Sequence, residues 1–393
     1  MKRILSLLAV IAFALPVAAQ SEPEMKSSDL KKLGKPFGDW VDAKIENDPG
    51  EASEMLLKLD GLVEKMDKKL KGRSTLSLVR DWEIILQTGR KFDKSGKNVK
   101  KGKVLEQDLG VYGKYLVWLP AGYNPDKVNY PGILLLDSDP QATIEGLTDA
   151  TKDAFIIMAP LVSGLDKSIL MQAEGRNLII GPIGRSTVAY RLDRSRLFLV
   201  GNGDQGASFA AAYAAVLPHF FSAVAFVAGE TGTVNGVANH ALLPVEKQET
   251  VEAAATWMLG LEPANKYPTS FEVELLEPWQ GVCYWVQALK FDTGEDVPEG
   301  EASRLKVSVD RGTNTITIDG AYVYQVRLML NDVLVDLDQP ITLLRNGQSY
   351  TFQASRSLGT MLQYYVGNLD GSVYPAQLRQ LDLPSESEEP TEG

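Results

Sequence analysis

The chemistry available to this chain centres on one glycine-rich stretch, Arg196-Leu-Phe-Leu-Val-Gly201-Asn202-Gly203-Asp204-Gln205-Gly206-Ala207-Ser208. An apolar run ends at Gly201, small residues follow, and an Ala-rich segment begins at once. A strand, a tight turn and a helix in that order need small residues around the apex, because a Cβ there meets neighbouring backbone. Asp204 and Ser208 are the nearby side chains that could attack a carbonyl, although Ser208 lies about one turn inside the helix, where packing is the usual role. Covalent hydrolysis also needs a base and a group that orients it. The chain has two histidines, His219 and His240. The single cysteine, Cys283, sits in Gly-Val-Cys-Tyr-Trp-Val, which reads as a buried strand with a small apolar core residue rather than a reactive thiol.

The stretch resembles the nucleophile elbow of α/β-hydrolases, and the likeness extends from about Val104 to Gly229. Tyr190-Arg-Leu-Asp-Arg-Ser-Arg-Leu-Phe-Leu-Val-Gly is similar to the approach strand of bacterial esterases related to polyhydroxybutyrate depolymerases. Pro218-His219-Phe220-Phe221-Ser222-Ala223-Val224 is similar to the segment after their elbow helix. Val117-Trp-Leu-Pro-Ala-Gly-Tyr with Tyr130-Pro131-Gly-Ile-Leu-Leu-Leu resembles their early strands. The resemblance implies an apex Gly-x-Ser-x-Gly with serine as nucleophile, a His-Gly pair supplying oxyanion N–H groups after the second strand, and a late catalytic histidine. Laid on this chain, the serine position falls on Gly203 and the last glycine on Gln205. Asp137-Ser138-Asp139-Pro140 stands where His-Gly belongs. Two carboxylates there oppose a developing negative charge, and Pro140 has no N–H. His240 comes too early for the late base, and His219 reads as a capping or surface residue.

The expectation is therefore a degenerate elbow of Gly201, Gly203, Asp204, Gln205 and Gly206, in a non-catalytic pseudo-hydrolase that binds a ligand or partner. An alternative is a carboxylic-ester hydrolase with an elbow shifted by one residue, Asp204 as nucleophile and His240 activating water. A third reading is a structural or envelope-interaction protein whose contacts come from its N-terminal helices.

The elements that would hold these residues follow from periodicity. Asp29–Ile45, Glu51–Leu70 and Leu76–Thr88 carry apolar residues at helical spacing, with Met55, Leu56, Leu59, Leu62 and Met66 as the clearest stripe. From Val104, short apolar strands alternate with helices: Lys114–Leu119, Gly132–Leu136, Phe155–Met158, Leu197–Val200 and Ala223–Val227 as strands, Ser186–Leu192, Gly206–Leu217 and Thr250–Leu261 as helices. Phe271–Leu275 and Val282–Leu289 are further strands. Alternation of this kind predicts an α/β fold, an α/β-hydrolase-like and mainly parallel sheet covered on both faces. After about Ala302, alternating residues predict strands through Leu305–Val309, Ile316–Ile318, Val323–Leu330, Asp332–Leu337 and Ile341–Leu344, a hairpin turn at Asn346-Gly347 and a helix at Ser357–Gly367. The expected organisation is a signal peptide (1–19), a helical N-terminal region with a basic linker (20–103), the α/β-hydrolase-like domain (104–300), a small β-rich C-terminal domain (301–383) and an acidic disordered tail (384–393).

Composition narrows the partners. At 393 residues, 44% hydrophobic and 23% charged, the chain is an ordinary globular protein of two or three domains. A net charge of −11 repels phosphate backbones, which argues against nucleic acid. Lys2 and Arg3, the short apolar run Ile4–Leu15 and Val17-Ala18-Ala19 predict export to the periplasm or medium, with no transmembrane segment left after cleavage. Arg90, Lys91, Lys94, Lys97, Lys100, Lys101 and Lys103 read as a solvated linker; an anionic-ligand patch is the alternative. Asp336 and Asp338 would share a strand face and could hold Ca²⁺, but turn-forming Asp is the commoner explanation. No cofactor or metal motif is present. An unknown small molecule or envelope protein is the expected partner.

Overall fold

The computed structural model describes residues 22–92, 100–126, 128–166, 168 and 171–383. The expected signal peptide and acidic tail lie outside the described residues, as do Lys94 and Lys97. Three helices come first: α1 (Ser27–Ile45), α2 (Pro49–Lys69) and α3 (Val79–Thr88). Asp48 caps α2 by accepting from Glu51 N–H at 3.0 Å, and Pro49 opens the first turn. The α2 stripe is packing surface: Leu59 and Met66 are buried, and Met55, Leu56 and Leu62 pack against the same core.

Strands β1 (Val104–Asp108), β2 (Lys114–Trp118), β3 (Tyr130–Leu136), β4 (Ile156–Pro160), β5 (Leu192–Asn202), β6 (Ala223–Val227) and β7 (Val245–Gln248) form one sheet in the order β1-β2-β4-β3-β5-β6-β7. Pairing is parallel from β4 to β7 and antiparallel at the β1–β2 and β2–β4 edge. The unbroken apolar run in β3 suits two covered faces. Leu134 and Leu136 enter one core, whereas Ile133 and Leu135 enter the other. Helices α4 (Pro140–Gly146) and α5 (Asp149–Ala154) follow β3. Helices α6 (Ala173–Ala189) and α7 (Gly203–Val216) cover the first face; α4 and α8 (Val251–Leu259) cover the second. The helix expected at Ser186–Leu192 is the end of the longer α6, and Leu192 already belongs to β5.

The remaining strands are β8 (Ser270–Leu275), β9 (Val282–Cys283), β10 (Val286–Phe291), β11 (Ser303–Asp310), β12 (Thr315–Ala321), β13 (Val323–Leu330), β14 (Ile341–Arg345), β15 (Gln348–Phe352) and β16 (Gln377–Asp382), with helix α9 (Leu358–Asn368). They build two sheets, β16-β13-β10-β9 and β15-β14-β12-β11-β8. Strands β8 to β10 thus join the C-terminal sheets, not the sheet expected to contain them. Their burial explains this: Phe271, Val273 and Leu275 are buried while Ser270 and Glu272 are exposed, the pattern of a strand covered on one face. Asn346 and Gly347 both take positive φ, 43° and 80°, and turn β14 into β15 as expected.

Two expectations need correction here. Asp332–Leu337 is a run of turns rather than a strand. Asn331 accepts from Val333 N–H at 3.0 Å and Asn314 donates to the carbonyls of Asp336 and Pro340 at 3.0 Å, so side chains take the backbone groups a ladder would use. Asp336 and Asp338 therefore do not share a strand face. Asp336 accepts from Asp338 N–H at 2.9 Å, and Asp338 is bound by Arg356 at 2.6 Å. Arg90, expected in a solvated linker, is instead buried and donates to the Thr187 and Val188 carbonyls at 3.3 and 3.2 Å, where a cation suits the C-terminus of α6.

The N-terminal helices and the C-terminal sheets share one apolar core. Trp82, fully buried, stacks on Tyr374 at 6.4 Å between centroids, and Phe37 meets Tyr365 edge-on at 5.0 Å. Replacing Trp82 by Ala should cost ~3–5 kcal/mol. Because the core is shared, amides of β13 and β16 should lose hydrogen-exchange protection together with those of α3. Unchanged protection in β13 would contradict this packing.

Candidate functional site

The elbow forms where β5 ends and α7 begins, in the register expected. Gly203 is the apex residue, with φ of +70°, and a Cβ placed on it would meet nothing within 4 Å. The apex is open and carries no side chain. Its flanks are crowded. A Cβ on Gly201 would lie 2.3 Å from the Gly206 oxygen, and one on Gly206 would lie 2.2 Å from the Leu136 oxygen of β3. The close-approach glycine is therefore Gly206, one position beyond Gln205, where the resemblance laid it. Gln205 turns away and donates from Nε2 to the Leu165 carbonyl at 2.8 Å. Gly229, in the loop after β6, presses on the apex from the other side: its Cβ would sit 2.4 Å from the Gly203 carbonyl carbon. Nothing in the local sequence pointed to Gly229, because its contact is made between the ends of the neighbouring strands β5 and β6.

Asp137 follows β3 and lies beside the turn. Its Oδ2 accepts from Asn202 Nδ2 at 2.7 Å and from Thr143 Oγ1 at 2.6 Å, and its Oδ1 accepts from Asp139 N–H at 2.8 Å. Asp139 in turn caps α4 by accepting from Ala142 N–H at 3.2 Å, with Pro140 at the first helical position. The Asp-Ser-Asp-Pro segment is thus a helix start. It ties a carboxylate to Asn202, the residue before the apex.

The rival catalytic residues are not brought together. Asp204 is exposed on the first turn of α7, and its Oδ1 accepts from Glu230 N–H at 3.0 Å. His240 lies in a short 3-10 helix, Val237–Leu242. Its Nε2 is 2.9 Å from the Ala211 carbonyl oxygen, and its ring lies against Phe226. Ala211 is seven residues beyond Asp204 along α7, about 10 Å at 1.5 Å per residue. Ser208 is partly buried within α7. His219 is half-buried after α7, and its Nδ1 is buried. Cys283 is buried in β9, as expected, and burial pushes its thiol well above the usual range. Asp204 and His240 stand apart along α7, and among the described residues no nucleophile–base pair forms at the turn.

No protein-family model matches the chain, and no curated protein matches it. Solved structures overlay only in part. A thermostable esterase shares 17% identity at a TM-score of 0.28, over 34% of this chain and 41% of that one. The fluorophosphonate-binding serine hydrolase F of Staphylococcus aureus shares 14% at 0.27, over 32% and 56%. A ferulic acid esterase of the anaerobic fungus Anaeromyces mucronatus shares 12% at 0.28, over 42% and 90%. The chain thus spans about half the length of the first two. Overlays this loose carry no argument about activity.

The glycines predict an ordered set of stabilities. Gly206→Ala drives a Cβ into the Leu136 carbonyl and should cost ~1–3 kcal/mol or more. Gly203→Ala has room and should cost only the positive-φ strain, about 1 kcal/mol. Gly61→Ala, in the open middle of α2, should be neutral or stabilising by up to ~1 kcal/mol. Urea midpoints check the ranking; equal midpoints for Gly206→Ala and Gly203→Ala would refute the crossing geometry.

Proposed function

We propose that this chain is an exported α/β-hydrolase-like protein that has lost covalent catalysis and acts by binding a ligand or an envelope partner. The observation that carries the reading is Gly203: the apex of a well-formed elbow, open to its surroundings and without a side chain. The strand order β1-β2-β4-β3-β5-β6-β7 with the sharp turn after β5 supports the hydrolase-like part. Asp137, held by Asn202 beside the apex, supports the loss of an oxyanion site. Export rests on Lys2, Arg3, the apolar run to Leu15 and the small residues Val17-Ala18-Ala19.

The aspartate-nucleophile alternative gains nothing from the geometry. An acyl-aspartate needs water activated by a base beside it, and His240 Nε2 is held at the Ala211 carbonyl, seven residues along α7 from Asp204. The envelope-scaffold alternative required an exposed apolar stripe on the N-terminal helices, and the α2 stripe packs into the shared core.

Purified mature protein should hydrolyse p-nitrophenyl acetate and butyrate no faster than buffer. Gly203→Ser should be equally inert, because an unassisted hydroxyl lacks the ~10²–10⁴-fold contribution of a positioned base. Wild-type turnover that disappears in Asp204→Asn or His240→Gln would overturn the proposal.

A further inference from the structure

A cleft of about 280 Å³ lies where α6, the first residues of β5 and the segment after α7 meet the C-terminal region. It is remote from the elbow. Arg194, on its wall, lies in the irregular start of β5, before the five regular residue steps from Leu197 to Asn202, about 16 Å at 3.3 Å per residue. The cleft therefore stands on its own, whatever the elbow does.

Its polar end is unusual. Arg194 and Lys266 are buried, with only 8% and 7% of their surfaces exposed. Arg194 reaches Thr187 Oγ1 at a long 3.5 Å, its Nε has no partner among the described residues, and its guanidinium lies 4.5 Å from the Phe220 ring centroid. Lys266 donates to the His219 carbonyl at 3.0 Å. His219 lines the same cleft and has a buried, unpartnered Nδ1. Burial, and then the charges of Lys266 and Arg194, push His219 down to about 3, so it is a neutral hydrogen-bonding group at physiological pH. The anion lining this end is Asp370, which lies in the field of both cations but has Oδ1 occupied by Ser372 N–H at 2.9 Å and by the Ser372 hydroxyl. Asp193 also acts on Lys266 but is held by Arg196 at 2.9 Å, so the cations lining the cleft outnumber its carboxylate, a costly state inside a protein. A further cation, Arg176, lies over the Trp279 ring at 5.1 Å on the cleft wall. Aromatic rings stand among these polar groups: Trp279, Tyr284 and Tyr364 line the cleft, with Tyr284 edge-on to His219 at 6.3 Å between centroids.

We propose that this cleft binds a small organic carboxylate, with its charge on Arg194 and Lys266 and its apolar or aromatic body against Trp279, Tyr284 and Tyr364. The surplus of cations along the lining suits an anion, and the aromatic walls suit an organic body rather than a bare ion.

Calorimetric titration with benzoate and with benzamide, its neutral isostere, tests the proposal. Benzoate should bind saturably at one site per chain, and benzamide at least about tenfold more weakly. Arg194→Gln and Lys266→Met should each weaken benzoate at least about tenfold. Their urea midpoints should hold or rise, because each removes a poorly compensated buried charge. Absence of benzoate binding at millimolar concentration, equal binding of benzamide, or full affinity in folded Lys266→Met would overturn the site. The esterase assay is independent of these readouts, so failure here leaves the reading of the elbow untouched, and the reverse holds.

Discussion

Helix α7 crosses the sheet so closely that two positions can hold nothing larger than hydrogen. Gly201 faces the Gly206 carbonyl, and Gly206 faces the Leu136 carbonyl of the neighbouring strand. β3 and β5 are adjacent strands in the middle of the seven, so this one contact sets how the helix layer sits on the sheet. It also decides what stands beside the turn. Asp137 and Asn202 each follow a residue of the crossing, Leu136 and Gly201, and the crossing brings their side chains to 2.7 Å.

The packing requirement and the chemical requirement at such a turn are separable. Close approach needs glycine at positions 201 and 206 whether or not anything reacts at the apex. The apex needs a positive φ, which a serine adopts only with strain of order 1–3 kcal/mol and a glycine adopts freely. With Gly203 the turn is relaxed. Beside it, Asp137 has become part of the structure: it ties the end of β3 to the elbow and to the start of α4. A carboxylate spent in that way holds the loops together and opposes the oxyanion that an esterase would stabilise. A glycine at the apex thus leaves the turn both open and unstrained.

Around the sheet, the chain's two ends are one body of packing. The N-terminal helices bury Trp82 and Phe37 against Tyr374 and Tyr365 of the C-terminal region. Arg90 joins that body to the sheet domain through the last carbonyls of α6. The seam between these parts carries the buried charges Arg194, Lys266 and Asp370, each contributed by a different segment of the chain. Seams between packed units are where irregular gaps remain and where side chains from several elements converge, which is also where binding clefts tend to form.

Much of the fold was legible in local pattern. The two-sided apolar runs of β3 and β5, the glycine spacing of the turn and Asn346-Gly347 each imposed a conformation through their own backbone and side-chain preferences. The empty apex at Gly203 could be read for the same reason, since a glycine lacks a nucleophile wherever the chain folds. What local pattern could not supply was the partner across space. Gly206 rather than Gln205 makes the close contact because the Leu136 carbonyl lies there. Asp332–Leu337 is a turn because Asn314 and Asn331 capture its backbone. His219 reads as a surface residue until Lys266 and Arg194 are folded over it. Those outcomes depend on desolvation and on contacts between residues many positions apart, quantities that exist only once the chain has closed on itself.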